Sequence, residues 1–296
     1  MGRYDHEMAL ASTNQLTDSH QSPAGWQARL AMEFERRDDS TILTRHEHSG
    51  PLRIQKALYP EGREICHAII LHPPAGIVGG DRLTIEVDVK PHAHVLLTTP
   101  GASKWYRSSG ATAAQSVSLR VGAGSTVEWL PQESIIFSGA QAQMQAQIEL
   151  AEGARFIGVE TICFGRRASG EIFDRGNLKL VTDIRQQGRK LWRERGVIPG
   201  SSALLNSPIG LAGFSVCSTL LVAGATIGPE VLTACRSVTT PEVQAASGVT
   251  AMPLLLVGRY LGHSTEAARE WLVALWSIVR PTLTGYDAVT PRIWAT

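Results

Sequence analysis

Strict two-residue alternation, more than any other feature, limits what this chain can fold into. Leu83, Ile85, Val87 and Val89 alternate with Thr84, Glu86, Asp88 and Lys90, and a period of two puts the apolar set on one face of a strand. Val117, Leu119 and Val121 repeat the pattern, as do Met144, Ala146, Ile148 and Leu150. Each run ends in a comparable turn: Lys90-Pro91-His92-Ala93, Gly122-Ala123-Gly124-Ser125 and Glu152-Gly153-Ala154-Arg155. A second apolar strand follows each turn, in the order Val95-Leu96-Leu97-Thr98, Thr126-Val127-Glu128-Trp129 and Phe156-Ile157-Gly158-Val159. A strand-turn-strand unit recurring at roughly thirty residues buries its apolar faces by stacking on its neighbours. The expectation is a mainly β protein with an elongated, layered, solenoid-like body of superhelical strands. A cupin-like barrel or a plain sandwich would write a similar pattern.

Helix enters late. Ser264 is a hydroxyl N-cap, Glu266 sits in the first turn, and Trp271, Leu272, Leu275, Trp276 and Val279 share one face before Pro281, which is expected to end the helix. A second, shorter helix is predicted after Pro229, with Glu230 placed to suit the helix dipole. Residues 1–25 are polar and read as a disordered extension, leaving residues 26–296 as a single domain. The 28 Lys and Arg against 27 Asp and Glu leave +1, without the one-sign field of a general nucleic-acid or membrane-surface binder. Cys66, Cys163, Cys217 and Cys235 form no C-x-x-C pair and fit a reducing cytoplasm.

Three segments carry unusual chemistry. Residues 72–81, from His72 through Pro73, Pro74, Ala75 and Gly76 to Gly79, Gly80 and Asp81, form a fixed irregular loop. Asp81 suits either a turn cap or a polar group that meets a ligand. A phosphate loop is excluded because no Lys-Ser/Thr follows the glycines, and a dinucleotide fingerprint because a strand follows them. Residues 98–108 gather Lys104, Trp105, Tyr106 and Arg107, residue types that anchor protein interfaces; single-stranded nucleic acid could stack there too. Glu133 lies in Leu130-Pro131-Gln132-Glu133-Ser134-Ile135-Ile136-Phe137, a segment with apolar residues on both flanks, so its carboxylate needs a partner if buried. Glu171 has Arg166 and Arg167 close by for that purpose. His46-Glu47-His48 and His92-Ala93-His94 place imidazoles two apart, which is not a complete metal site. A carbohydrate-active hydrolase of β-helix or cupin-like form would need two of Asp81, Glu133 and Glu171 to converge in an open cleft.

Residues 72–81, 98–108 and 130–137, followed by Arg280-Pro281 and the ending Pro291-Arg292-Ile293-Trp294-Ala295-Thr296, together resemble the UreD (UreH) family of urease accessory proteins. The resemblance implies a mainly β, non-enzymatic scaffold that acts in the cytoplasm with the accessory proteins UreF and UreG. On apo-urease that assembly promotes nickel insertion through an internal tunnel, with no permanently bound cofactor and only transient Ni²⁺. It points to Asp81, Glu171, His72 and Glu133 as nickel-path groups. Lys104, Trp105, Tyr106, Arg107, Arg292 and Trp294 become partner contacts or residues that shape the fold. Ala75 departs from the family, which has Gly there; a positive φ at this position would bend the loop differently.

Overall fold

The computed structural model describes residues 25–295, so the extension expected at residues 1–25 lies, apart from Gly25, outside the described residues. Strands β1 (Gln27–Arg37), β2 (Ser40–Ser49) and β3 (Arg53–Ile54) precede four stacked coils. The first coil holds β4 (Ile65–Leu71), β5 (Gly76–Ile77) and β6 (Arg82–Val89); the second holds β7 (His94–Thr98), β8 (Ser103–Trp105) and β9 (Ala113–Val121). The third contains β10 (Thr126–Leu130), β11 (Ser134–Ile136) and β12 (Gln141–Leu150), and the fourth only β13 (Arg155–Phe164) and β14 (Asn177–Gln186). Antiparallel β15 (Arg189–Pro199), β16 (Val216–Ala223), β17 (Ala246–Met252) and β18 (Leu255–Gly262) follow, with α1 (Pro229–Arg236) between β16 and β17 and α2 (Thr265–Thr284) after β18.

Equivalent strands of successive coils pair in parallel. Ile65, His94, Thr126 and Arg155 lie in register along one wall; Arg82, Ala114, Gln143 and Lys179 do so along the opposite wall. Gly76, Lys104 and Ile135 align on the narrow third side. Each coil visits several walls, so the architecture is the solenoid-like stack expected, and the barrel and sandwich alternatives fall. The first wall continues through β16, β18 and β17, while the opposite wall is extended by β1 and β2 at one edge and β15 at the other. The turns also stack: His92, Gly124 and Gly153 take the same left-handed conformation, with φ of 64°, 66° and 67°. The His92 amide donates to Ala123 O at 3.0 Å and the Gly124 amide to Glu152 O at 3.1 Å. A Cβ on Gly124 would stand 2.8 Å from His92 Nδ1, so glycine there allows adjacent coils their close approach.

Two apolar layers result. Phe34, Leu97, Val127, Phe156 and Ile148 belong to the layer between the walls. Leu96, Ile157, Leu220, Trp271, Leu275 and Trp276 pack the outer face of the first wall against the helices. Ser264 Oγ accepts from the Ala267 amide at 3.0 Å, the N-cap expected for α2. Pro281 does not end that helix, contrary to expectation: α2 runs on to Thr284 and stops at Gly285 in the left-handed conformation. The missing Pro281 N–H removes one helical bond, but the buried Arg280 and Leu283 on either side keep the turn anchored.

Arg280 joins the helix to the coils. It is fully buried, as is Glu128 on β10. The Arg280 Nε donates to Glu128 at 3.0 Å and the Trp276 Nε1 donates to the same carboxylate at 2.6 Å, while His94 Nε2 lies 2.7 Å from it. Arg280 also reaches Glu61 at 2.6 and 2.9 Å, and Glu61 meets His67 Nε2 at 2.6 Å. Burial pushes both carboxyls up, but the hydrogen bonds and charges of His94 and Arg280 at Glu128, and of His67 and Arg280 at Glu61, hold both below the usual range.

Candidate functional site

Between the walls the apolar layer is incomplete, and a cavity of about 90 Å³ opens among Ile85, Val117, Met144, Phe156, Thr182 and Leu221. Two polar rows face it. Glu160, Thr219 and Arg259 stand in register across β13, β16 and β18, and Thr182 pairs with Glu194 across β14 and β15. Arg259 spans the gap, donating to Thr219 Oγ1 at 3.0 Å and to Glu194 at 2.7 Å. Glu160, which lines the cavity, has no hydrogen bond or ion pair among the described residues. Burial and the neighbouring Glu194 carboxylate push its pKa up to about 7, and the Arg259 charge only partly offsets them. A carboxyl perturbed in this way and facing a cavity marks a candidate site.

The cavity adjoins two others. Ile85, Thr99, Ser103 and Gln115 are shared with a space of about 140 Å³ beneath the 72–81 loop, where His72 and Lys104 lie. On the opposite flank, Pro131, Gln132, Val159 and Thr161 are shared with a space of about 30 Å³ beside α2, lined also by Glu133, Arg269 and Trp294. The three cavities are linked through these shared lining residues, the last of them lying on the helix side of the first wall.

The residues singled out from sequence fall into distinct places. His72 lines the first cavity; its Nε2 is buried without a partner, and burial lowers its pKa despite the Asp81 charge nearby. Asp81 is buried beside it, its carboxylate accepting from the Trp26 amide at 2.7 Å and the Val78 amide at 2.9 Å. Glu133 lines the last cavity and pairs with Arg269 of α2 at 2.7 Å. Glu171 lies off this path, accepting from Arg166 at 2.8 Å and from the Ser138 amide at 3.1 Å; burial pushes its carboxyl up, but these donors hold it below the usual range. Asp81, Glu133 and Glu171 do not converge on one cleft, so the arrangement required of the hydrolase reading is missing. Among the described residues, no three His, Cys, Asp or Glu side chains group as a metal site.

The expected partner contacts divide similarly. Trp105 is fully buried, because its position on β8 points into the layer between the walls, and it is core in this structure rather than contact surface. The Tyr106 ring lies so close over Gly76 that a Cβ there would meet it at 1.9 Å, and it makes an edge contact with Phe137 at 4.9 Å. Arg107 is exposed. Trp294 is tied into the fold: its Nε1 donates to Thr98 Oγ1 at 2.8 Å and its ring meets Trp276 at 6.3 Å. Arg292 lies in the same terminal turn and is exposed.

The UreD urease accessory protein family matches residues 27–295. The chain belongs to the UreD family. It is 49% identical over 287 residues to the urease accessory protein UreD of Azoarcus sp. (strain BH72), covering 97% of this chain and 100% of that one. The UreD proteins of Dechloromonas aromatica (strain RCB), 47% identical over 97% of this chain and 100% of theirs, and Janthinobacterium sp. (strain Marseille), 50% identical over 91% and 92%, are similar too. In this UreD-family chain, sequence reasoning missed Glu160 and Glu194. The available signal was a lone carboxylate inside the apolar run of β13, the same signal that had singled out Glu133.

Proposed function

We propose that this chain is a non-enzymatic scaffold for urease maturation that works in the cytoplasm with UreF and UreG, and that nickel bound for apo-urease travels through its interior. The adjoining cavities with the unpaired Glu160 carboxylate at their centre carry this reading. A single carboxylate, with a hydroxyl and a second carboxylate at a distance, attracts Ni²⁺ without completing its coordination. Weak capture suits transfer, because a complete ligand set would retain the ion. His72, beside Asp81, and Glu133 would serve the two flanks of the route. Glu171, off the cavities, would steer the ion only from the outside. The four cysteines are unpaired, in keeping with a reducing compartment.

Glu160→Gln tests the reading. Coexpressed with urease, UreF and UreG, the variant is expected to copurify with all three while nickel per urease active site falls several-fold. Below neutrality the wild-type Glu160 carboxyl is itself protonated, so delivery should decline as pH drops through about 7 in wild type and lose that dependence in the variant. Full nickel loading of urease by Glu160→Gln would refute the route.

A further inference from the structure

Arg259 and Arg280 both turn inward, yet they are held differently. The side chains of Arg280 and Glu128 are fully excluded from water, and parting them would strand a buried charge. Arg259 and Glu194, joined at 2.7 Å, keep 40% and 35% of their side-chain surface in water. A pair of that kind opens readily, because solvent takes over each charge. The bond crosses from β18 on the first wall to β15 on the opposite wall, and Glu194 lines the cavity between them with Glu160, Thr182 and Thr219. Thr219 Oγ1 accepts from the other terminal nitrogen of the guanidinium at 3.0 Å, so the hydroxyl aims it across the gap. Its charge also reaches Glu160 and favours the ionised carboxyl there. One guanidinium thus serves two carboxylates that line one cavity.

We propose that Arg259 is a resident counter-ion of the cavity: it holds the Glu194 carboxylate between passages, yields it to an arriving divalent cation, and competes that ion off again as it returns. Ni²⁺ as the cation and the cavity as its route rest on the function proposed above. With both carboxyls ionised, the guanidinium brings the group of three to a net charge of −1. Swung into water, it leaves two carboxylates whose combined charge of −2 matches a divalent ion. The long side chain makes that swing without disturbing the main-chain pairing of β18 with β16 and β17. Arginine stays charged throughout, so it cannot leave the contest by losing a proton. The competing account is a plain staple between the walls, whose loss would loosen the fold without holding the ion any harder.

Equilibrium dialysis of the full chain with UreF against Ni²⁺, followed by stopped-flow release into a chelator, separates the two accounts. Arg259→Gln is expected to bind Ni²⁺ about tenfold more tightly and to release it correspondingly more slowly, because the competitor for Glu194 is gone. Arg259→Lys keeps the charge and should stay within about threefold of wild type. Thr219→Val removes only the hydroxyl that aims the guanidinium and should tighten binding by about threefold. Adding Glu194→Gln to Arg259→Gln should abolish the gain, since the contested carboxylate is then missing. A Ni²⁺ affinity of Arg259→Gln within about twofold of wild type, or weaker, would overturn the proposal. So would a gain that survives Glu194→Gln. If Glu160→Gln loads urease poorly while Arg259→Gln binds Ni²⁺ like wild type, the route stands and the counter-ion falls; full loading by Glu160→Gln removes the route itself.

Discussion

Replacing Arg280 by Leu removes the permanent cation shared by two buried carboxylates, Glu61 and Glu128. Glu128 keeps His94 and the Trp276 Nε1, and Glu61 keeps His67, but neither retains a permanent positive charge. Breaking a buried pair by deleting one partner costs about 3–5 kcal/mol, most of it the stranded charge. For a domain of this size that lowers the melting temperature by roughly 10 °C. Leu also loses the stacking of the guanidinium over Trp276 at 5.1 Å and the Arg280 bond to the Asp287 carbonyl. Adding Glu128→Gln to Arg280→Leu takes away one of the two stranded carboxylates and should return about 2 kcal/mol, a coupling typical of residues in one network. Urea titration monitored by tryptophan fluorescence reads both changes. A single-variant loss below about 1 kcal/mol, or strict additivity of the pair, would refute the claim that this network fastens α2 to the coils.

The same network sets an acid limb. The folded pKa values of Glu61 and Glu128 lie below their unfolded ones, so their stabilisation is full above the unfolded value of about 4.3 and is lost as pH falls below it toward the folded values. Thermal melts from neutral pH downwards should show that loss, and a flatter limb in Arg280→Leu. Ala75 holds φ at 57°, the left-handed region that costs a residue with a Cβ about 1–2 kcal/mol. Ala75→Gly is expected to stabilise the chain by about 0.5–1 kcal/mol after the extra chain entropy of glycine is set against that strain, measured as a rise in melting temperature. Asp81→Ala leaves the Trp26 and Val78 amides without their acceptor and should cost about 3 kcal/mol. If the chain still binds UreF but loads urease poorly at a temperature where it is folded, Asp81 acts on the nickel as well as on the loop. Normal loading at that temperature would leave it a purely structural residue.

The solenoid was legible because alternation and turn chemistry are local. The wall formed by β6, β9 and β12 has one face on the core and one on solvent, so period two survives in the sequence. The other wall is covered on both faces, and its strands read as apolar runs such as Phe156 to Gly158 with no alternation to assign an inside. That ambiguity hid the two most consequential carboxylates. Glu128 and Glu160 look alike in sequence, each alone in a mostly apolar strand. Glu128 faces the helix layer, where Trp276 and Arg280, 148 and 152 residues further along the chain, supply its donors. Glu160 faces the space between the walls and receives no donor. Local pattern can locate a lone carboxylate in an apolar strand, yet whether it is clamped or left without a partner depends on which distant element covers its face. Compensation, more than charge or burial alone, separates Glu128, which helps hold this fold together, from Glu160, which has no partner among the described residues.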